Sequence, residues 1–549
     1  MDIPSMNNIE DVNPRLIFFA ITPILIILVY IYFDFLGPFK PVSYTFPLFT
    51  LGVGIIWPKI EESRKDQDIK RNLHFYLTYL GVLSISNTSA PEIFKVVSES
   101  DEYGTISMQS RKIYSIVTNY NQQLVQACKK VGEATPNEEL SDFLERLALN
   151  LESGVDIEDF LVREQDIMID DYKSNYEGAL NDMDIYRDLF IAILLSTSFM
   201  VVFSLIIPTL IDINPNLLLA GSQLGFLTGE LMFTYAMKAI LPYDPLWHNK
   251  DQDNKALKRI KKMTALGFGL TILTTILAIL MYMGILPGSD LPPTLYVAIS
   301  VTPLAIPGAY TYYEERKIRQ RDQAYPSFLR ALGSSETIKQ GTSVGPLETL
   351  REKDFGELTG NVENLYKRLN TRISRKRSWN NFILESGSYL IQRFTETYID
   401  GRIKGANAER IGDLIADNFE GILRVRKKRA RKSISLKGSI YGASAAVSFT
   451  FFVGLEMIKM MIDMIGNIGL PGSSQQILSL SGYNMTLATF MITVIVLINA
   501  TIASILIKIS DGGSYYGSLL HFVGLTWVGV VSSIIASRLF ASLIPSMPS

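Results

Sequence analysis

The chain has 549 residues, 48% of them apolar, and 52 basic against 54 acidic residues give a net charge of −2. That length and apolar content exclude a single soluble core, and the even balance means that charge must be read region by region. One cysteine, Cys128, and three scattered histidines, His74, His248 and His521, exclude intrachain disulfides and a Cys/His metal centre.

In chain order, residues 1–15 are acidic and lack the basic start of a signal peptide, so the apolar run after them is expected to be a retained membrane helix. Apolar runs approaching the ~20 residues that a bilayer requires fall at 16–33, 42–57, 189–211, 217–239, 264–286, 291–310, 438–460, 485–507 and 519–543. The run at 42–57 is short and starts beside Pro41. Loops 34–41, 212–216 and 287–290 carry almost no positive charge, whereas Lys250, Lys255, Lys258, Arg259, Lys261 and Lys262 crowd one connection. Basic residues stay on the cytoplasmic side, so this connection and both long polar segments are expected inside, with the N-terminus inside and the C-terminus outside.

The expected fold is an all-α polytopic membrane protein with about nine transmembrane helices and two related helical-bundle cytoplasmic domains. Its parts are a first transmembrane pair (1–57), an acidic cytoplasmic domain (58–188), helices three and four (189–239) and a basic cytoplasmic loop (240–263). Helices five and six (264–310), a basic cytoplasmic domain (311–437) and helices seven to nine (438–549) follow. Segment 58–188 holds 25 acidic against 14 basic residues, and segment 311–437 inverts this to 16 against 26. In the first, Ile69, Leu73, Tyr76, Leu77 and Leu80 recur at helical spacing. Thr135, with Pro136 at the first helical position and Glu138 closing a capping box, reads as a helix start; Gly154 reads as its stop and Asp156 as the next cap. That next helix is expected to run through Asp170 and Asp171 almost to the membrane. In the second segment Asn407 is expected to cap a helix carrying Ile411, Leu414, Ile415, Phe419 and Leu423. A shift of about 252 residues lays one segment on the other, placing Leu77, Leu80, Gly81, Gly104 and Tyr114 on Leu329, Leu332, Gly333, Gly356 and Tyr366. A parallel tandem duplication, with the ninth span appended, is the reading.

No GxxxxGK[ST], HExxH, CxxC or GxSxG pattern occurs, and acidic pairs such as Glu314-Glu315 sit on charged helices, so no enzyme and no cofactor site is read. The candidate functional residues are charged. Arg424, Arg426, Lys427, Lys428, Arg429, Arg431 and Lys432 stand just before the apolar run at 438. They fit a docking site for an acidic partner, an orienting signal for the membrane, or a mutual attraction between the two segments. Without interleaved aromatics they do not fit nucleic acid. Gly221, Gly225 and Gly229 share one face of the fourth span and suit close helix packing, within the chain or in a dimer. Glu230 in that span, and Glu456 with Lys459 in the seventh, cost too much in lipid to stand alone. Trp247, in LPYDPLWHNK, suits an interface anchor. Asn484 fits a glycosylation sequon but lies close to the membrane.

The Leu80-Gly81 and Leu332-Gly333 helices, the turns at Gly154 and Gly405 and the long helices entering at 189 and 438 resemble the type II secretion F family. These are membrane platforms of type IV pilus-like machines. The nine-span layout and LPYDPLWH are similar to the archaeal, archaellum branch. The resemblance implies a platform in the lipid bilayer that contacts a hexameric secretion-type ATPase and filament subunits or other motor components. A transporter of parallel repeats with an ion site near Glu230 is the alternative of a different class.

Overall fold

The computed structural model describes residues 68–86, 88–211, 213–249, 255–285, 291–338, 344–467 and 485–543. The runs expected at 16–33 and 42–57, the sequon at Asn484 and the loop residues Lys250 and 287–290 lie outside them. The described residues are helical, with short 3-10 turns and no strand among them. The first polar module holds α1 (68–84), α2 (Ala90–Ser98), α3 (Thr105–Asn119), α4 (Leu124–Glu133) and α5 (Glu138–Ser153), and leads into α6 (Ile157–Leu210) and α7 (Pro215–Ile240). Then come α8 (Lys255–Tyr282), α9 (Pro293–Val301) and α10 (Ala305–Ile338). The second module continues with α11 (Val344–Leu350), α12 (Thr359–Asn370), α13 (Arg375–Ser386) and α14 (Tyr389–Ile403). It leads into α15 (Ala408–Asn467), followed by α16 (Met485–Asp511) and α17 (Ser518–Leu543).

Local chemistry accounts for the ends of these helices. Asn137 caps α5 by accepting from the Leu140 N–H, and Glu138 and Glu139 complement the positive end of its dipole. The cap is therefore Asn137 and not Thr135, because Pro136 stands outside the helix. Gly154 closes α5 at φ +71°, and Asp156 restarts the chain by accepting from the Glu158 N–H. Asn407 accepts from the Arg410 N–H at the head of α15.

α6 and α15 are the axis of the fold. At 54 and 60 residues they are about 80 and 90 Å long, and each runs unbroken from a polar module into apolar sequence. The helix after Asp156 thus passes Asp170 and Asp171 and continues through the span itself. Leu194, Val201 and Leu205 of α6 pack with Ile440, Val447 and Phe451 of α15 and with Ile492 and Ile495 of α16 in one core. In the apolar half this packing stabilises through dispersion contacts, since lipid chains are as apolar as leucine.

Among the described residues, six helices are long and apolar enough to cross a membrane; their spans are Ile157–Thr209, Leu217–Ile240, Ala256–Tyr282, Ala408–Ile462, Met485–Asp511 and Tyr515–Ser542. The run expected at 291–310 is not among them. It forms the nine-residue α9, a 3-10 turn at Thr302–Leu304 that contains Pro303, which lacks a backbone donor, and the first residues of α10. The basic connection placed at 240–263 is partly helical as well: Lys258, Arg259, Lys261 and Lys262 lie on α8.

The two modules present their elements in the same order. Both α6 and α15 start after a left-handed glycine, Gly154 and Gly405; Gly104 and Gly356 have φ of 52° and 58°, and Asn121 and Arg372 have φ of 51° and 58°. The modules pack on each other by opposite charge. Glu92, Glu102 and Asp184 of the first pair with Lys404, Arg393 and Lys432 of the second at 3.2, 2.9 and 2.6 Å, and Glu158 and Glu177 pair with Arg410 and Lys428. Each of these pairs takes its acid from the first module and its base from the second. Arg393 is almost fully buried, with its guanidinium 4.3 Å from the Tyr103 ring centre.

Candidate functional site at the foot of the long helices

The run RVRKKRARK lies in mid-helix on α15, where the polar modules meet the apolar bundle. Helical periodicity divides it. Arg429 is buried and Arg426 and Lys432 are half-buried on the inner side, whereas Arg424, Lys427, Lys428 and Arg431 are exposed. The inner cations are held by three separate parts of the chain.

Arg426 donates through Nε to Asp244 at 2.8 and 3.0 Å, through Nη2 to Asp244 and to the Pro245 carbonyl at 2.9 Å, and through Nη1 to Asp322 at 3.1 Å. Asp244 also accepts the Tyr176 hydroxyl at 3.1 Å, and Asp322 accepts the Ser388 hydroxyl. One guanidinium therefore serves two buried carboxylates. Burial pushes the Asp322 carboxyl up to about 6; Arg426 and the Ser388 hydroxyl oppose that shift and Asp244 adds to it. Burial acts in the same sense on Asp244, but its closer contact with Arg426, helped by Arg429 and the Tyr176 hydroxyl, holds it below the ordinary range.

Arg429 reaches the opposite way. It donates to the Ser510 and Ile509 carbonyls at 2.8 Å each, and to the Tyr176 hydroxyl at 3.1 Å. These are final carbonyls of α16, which have no partner within their own helix, and a cation there also suits the negative end of the helix dipole. Beside them Lys508 pairs with Glu315 at 2.6 Å with both side chains buried, and Glu315 accepts the Ser514 N–H at 2.6 Å. Asp511 lies 3.4 Å from Arg319 and 3.3 Å from Lys437.

The segment after α7 forms the third wall. His248 N–H donates to the Gly387 carbonyl at 3.1 Å, and Tyr389 N–H donates to the Leu246 carbonyl at 3.0 Å. Trp247 and Ser388 thus form an isolated bridge, and the Trp247 indole donates to Glu315 at 3.4 Å. Trp247, expected as a membrane-interface anchor, is held within this network. A cleft of about 100 Å³ remains between Asp244, Arg319, Asp322, Arg426 and Asp511. These five charges are paired with one another or with neighbouring side chains, so the arrangement fastens helices to one another instead of offering a reactive group. Of the residues in it, the sequence singled out the cations and Trp247. The acids Asp244 and Asp322 were missed because they stand 182 and 104 residues from Arg426 in the chain, and Asp511 because it lies on a different helix.

The other residues singled out lie deeper in the bundle. Glu230 of α7 is buried and accepts from the Asn499 amide of α16, and nearby Gln223 donates to the Met491 carbonyl at 3.0 Å. Glu456 pairs with Lys459 at 2.8 Å and accepts the Ser537 hydroxyl of α17 at 2.9 Å. A Cβ at Gly225 or Gly229 would meet side chains of α6 at ordinary contact distance, and one at Gly221 would meet nothing within 4 Å. Backbones approach most closely elsewhere. A Cβ on Gly333 of α10 would stand 2.5 Å from the Ala408 carbonyl of α15, and one on Gly308 would stand 2.4 Å from the Leu520 nitrogen.

Residues 76–205, most of the first module and of α6, match the family model for type II secretion system protein F. That match, the helical bundle with its apolar spans and the two relatives that follow together make this a membrane protein of the type II secretion and archaeal-flagella class. The chain is 31% identical over 509 residues to flagella accessory protein J of Methanocaldococcus jannaschii, covering 91% of this chain and 90% of that protein. It is 32% identical over 529 residues to flagella accessory protein J of Methanococcus voltae, covering 95% and 94%. The chain belongs to the flagella accessory protein J family. No solved structure matches it.

Proposed function

We propose that this protein is the non-enzymatic platform through which a cytoplasmic hexameric ATPase drives assembly of an archaeal filament and, in the archaellum, its rotation. The N-terminus and both polar modules lie in the cytoplasm, the C-terminus lies outside, and the two modules are tandem copies. The observation that carries the reading is the continuity of α6 and α15 from modules to bundle, together with the Arg426 and Arg429 network that locks them at the foot. A force that displaces the second module must move α10, α15, the 241–249 segment and the end of α16 together. The matched left-handed positions of the two modules support duplication, and the opposite charges of the modules hold the copies as a unit. Filament subunits or other motor components would meet the apolar bundle, and a dimer remains compatible with the exposed face of α8. Glu230 has its bond to Asn499 and serves helix packing on this reading, so the transporter alternative is not adopted.

The exposed cations Arg424, Lys427, Lys428 and Arg431 are the part of the foot that a partner can reach, although Lys428 already pairs with Glu177. The test is binding of the purified ATPase to the full chain in nanodiscs, at low and high salt. Salt-sensitive, saturable binding is expected, weakened when Arg424, Lys427 and Arg431 are changed to Glu. No binding at low salt would sink the platform reading. Binding that ignores the three changes would leave this face as a membrane-orienting signal alone.

A further inference from the structure

α8 changes from cationic to apolar within a single turn. Segment 250–262, KDQDNKALKRIKK, holds six basic and two acidic residues, and the 20 residues from 263 to 282 carry no charge. Those 20 residues make about 30 Å of helix, the hydrocarbon thickness of a bilayer. Lys258, Arg259, Lys261 and Lys262 therefore fall where hydrocarbon ends and lipid phosphates begin. All four are exposed, and so are Leu266, Phe268, Leu270 and Leu273 beyond them.

α10 brings further groups to the same level. The two helices pack antiparallel, and a Cβ on Gly267 of α8 would stand 3.0 Å from the Pro307 ring of α10. Seven residues back along α8 and seven on along α10 bring the buried Ile260 level with Glu314. Tyr312, Tyr313 and Arg316 are exposed there, and Lys317 lies 3.9 Å from Glu314 and 4.3 Å from the centre of the Tyr313 ring. Tyrosine, with an apolar body and a polar tip, suits this boundary. Among the described residues no hydrogen bond or ion pair engages Arg259, Lys261, Lys262 or Arg316.

Other cations of the foot are spent inside the protein. Arg429 holds α16 carbonyls, Lys508 holds Glu315 and Lys437 holds Asp511. Arg424 and Lys427 are exposed but lie lower. Arg426, between them, pairs with Asp322, eight residues beyond Glu314 on α10 and so about 12 Å further toward the modules. That exceeds the ~8 Å over which charges act in physiological salt. The row on α8 and α10 is thus the one at the depth of the headgroups.

We propose that Lys258, Arg259, Lys261 and Lys262 of α8, with Arg316 of α10, form a binding surface for the phosphate headgroups of anionic lipids. Tyr312 and Tyr313 flank it, and the exposed apolar face of α8 receives the acyl chains. Charge complementarity at that depth selects the occupant: ammonium and guanidinium groups make charge-assisted hydrogen bonds to phosphate oxygens, and a basic cluster gathers anionic lipid around itself. Lipid held there fixes the depth of the helix pair that leads into the second module. The proposal requires only that α8 crosses a bilayer, so it stands or falls apart from the platform reading.

The test places the full chain in phosphatidylcholine vesicles with a trace of spin-labelled phosphatidylglycerol or spin-labelled phosphatidylcholine, and reads the fraction of each held at the protein surface. The parent is expected to prefer phosphatidylglycerol by about threefold in low salt and to lose that preference in molar salt. Arg259→Gln, Lys261→Gln and Lys262→Gln together are expected to remove most of the preference. Lys95→Gln, Lys112→Gln and Lys353→Gln, which take the same charge from exposed sites on the polar modules, are expected to leave it. In a second measurement photoactivatable phosphatidylglycerol is crosslinked to the parent, and labelled peptides are expected to gather within 256–270 and 311–317. This needs no substitution, so it decides the matter if the α8 variant misfolds or inserts the other way round. A parent without preference, an α8 variant that keeps it, or a control that loses as much overturns the proposal. Crosslinks that gather at 424–431 instead, or that spare α8 because a second copy or another protein covers it, overturn it too. None of these outcomes touches ATPase binding, so the platform reading is tested separately.

Discussion

The two polar modules arrange their helices in the same order around opposite charge, and only the second carries the lock at the foot. Arg426 of α15 corresponds, 251 residues earlier on α6, to Asn175; Asp322 of α10 corresponds to Lys70 of α1 at the shift of 252. The first module thus supplies acids to the surface it shares with the second, whereas the second supplies the buried Arg426–Asp322 pair and reaches both the 241–249 segment and α16. The comparison teaches that modules with the same helix order make different contacts: both lead into the bundle through a long helix, but the first reaches the foot through the Tyr176 hydroxyl, whereas the second supplies its charges, Arg426, Arg429 and Asp322.

Removing the centre of the lock tests this most severely. Arg426→Met strands Asp244 and Asp322 in the interior and is expected to destabilise the protein by about 3–5 kcal/mol, read as a lowered melting temperature in detergent. Adding Asp244→Asn and Asp322→Asn should recover most of the loss; a single change that costs under about 1 kcal/mol would break the comparison. A smaller effect separates the paired glycines. Gly333→Ala sets a methyl group against the Ala408 carbonyl and is expected to cost about 1–3 kcal/mol. Its counterpart Gly81→Ala meets the Gln165 side chain at 3.5 Å and should be neutral or stabilising by up to about 1 kcal/mol. Equal costs at the two positions would mean that the helix crossings are not distinct.

The smallest effect is a pH dependence. Because the Asp322 carboxyl is raised in the folded state from 3.8 to about 6, its contribution is fully present below pH 4 and is lost as pH rises to about 6. Asp322→Asn, which keeps an acceptor for Ser388, should remove that fall and gain about 1–2 kcal/mol above pH 6 relative to its difference at pH 4. Parallel melting curves for parent and variant across this window would show that Arg426 keeps Asp322 ionised throughout.

Much of the architecture was legible from residue order. Asp156 and Asn407 announced helix starts and Gly154 a stop, because capping depends on bonds within three or four residues. The long apolar runs announced spans for the same local reason. At 291–310 hydropathy does not register the 3-10 turn at Thr302–Leu304 that divides the run between two helices. The cap placed at Thr135 misled because the motif offered two acceptors and only the chain's path chose Asn137.

By itself, the sequence determined helical content, the opposite charges of the two segments and the presence of a basic cluster just before a long apolar run, all properties set by neighbours in the chain. Tertiary structure alone decided that Arg426 and Arg429 turn inward while Arg424, Lys427 and Arg431 remain outside. It also decided that Asp244, Asp322 and the end of α16 meet them. Which face of α15 is buried depends on how that helix is rotated against α6, α10 and α16, and the packing of all four sets that rotation.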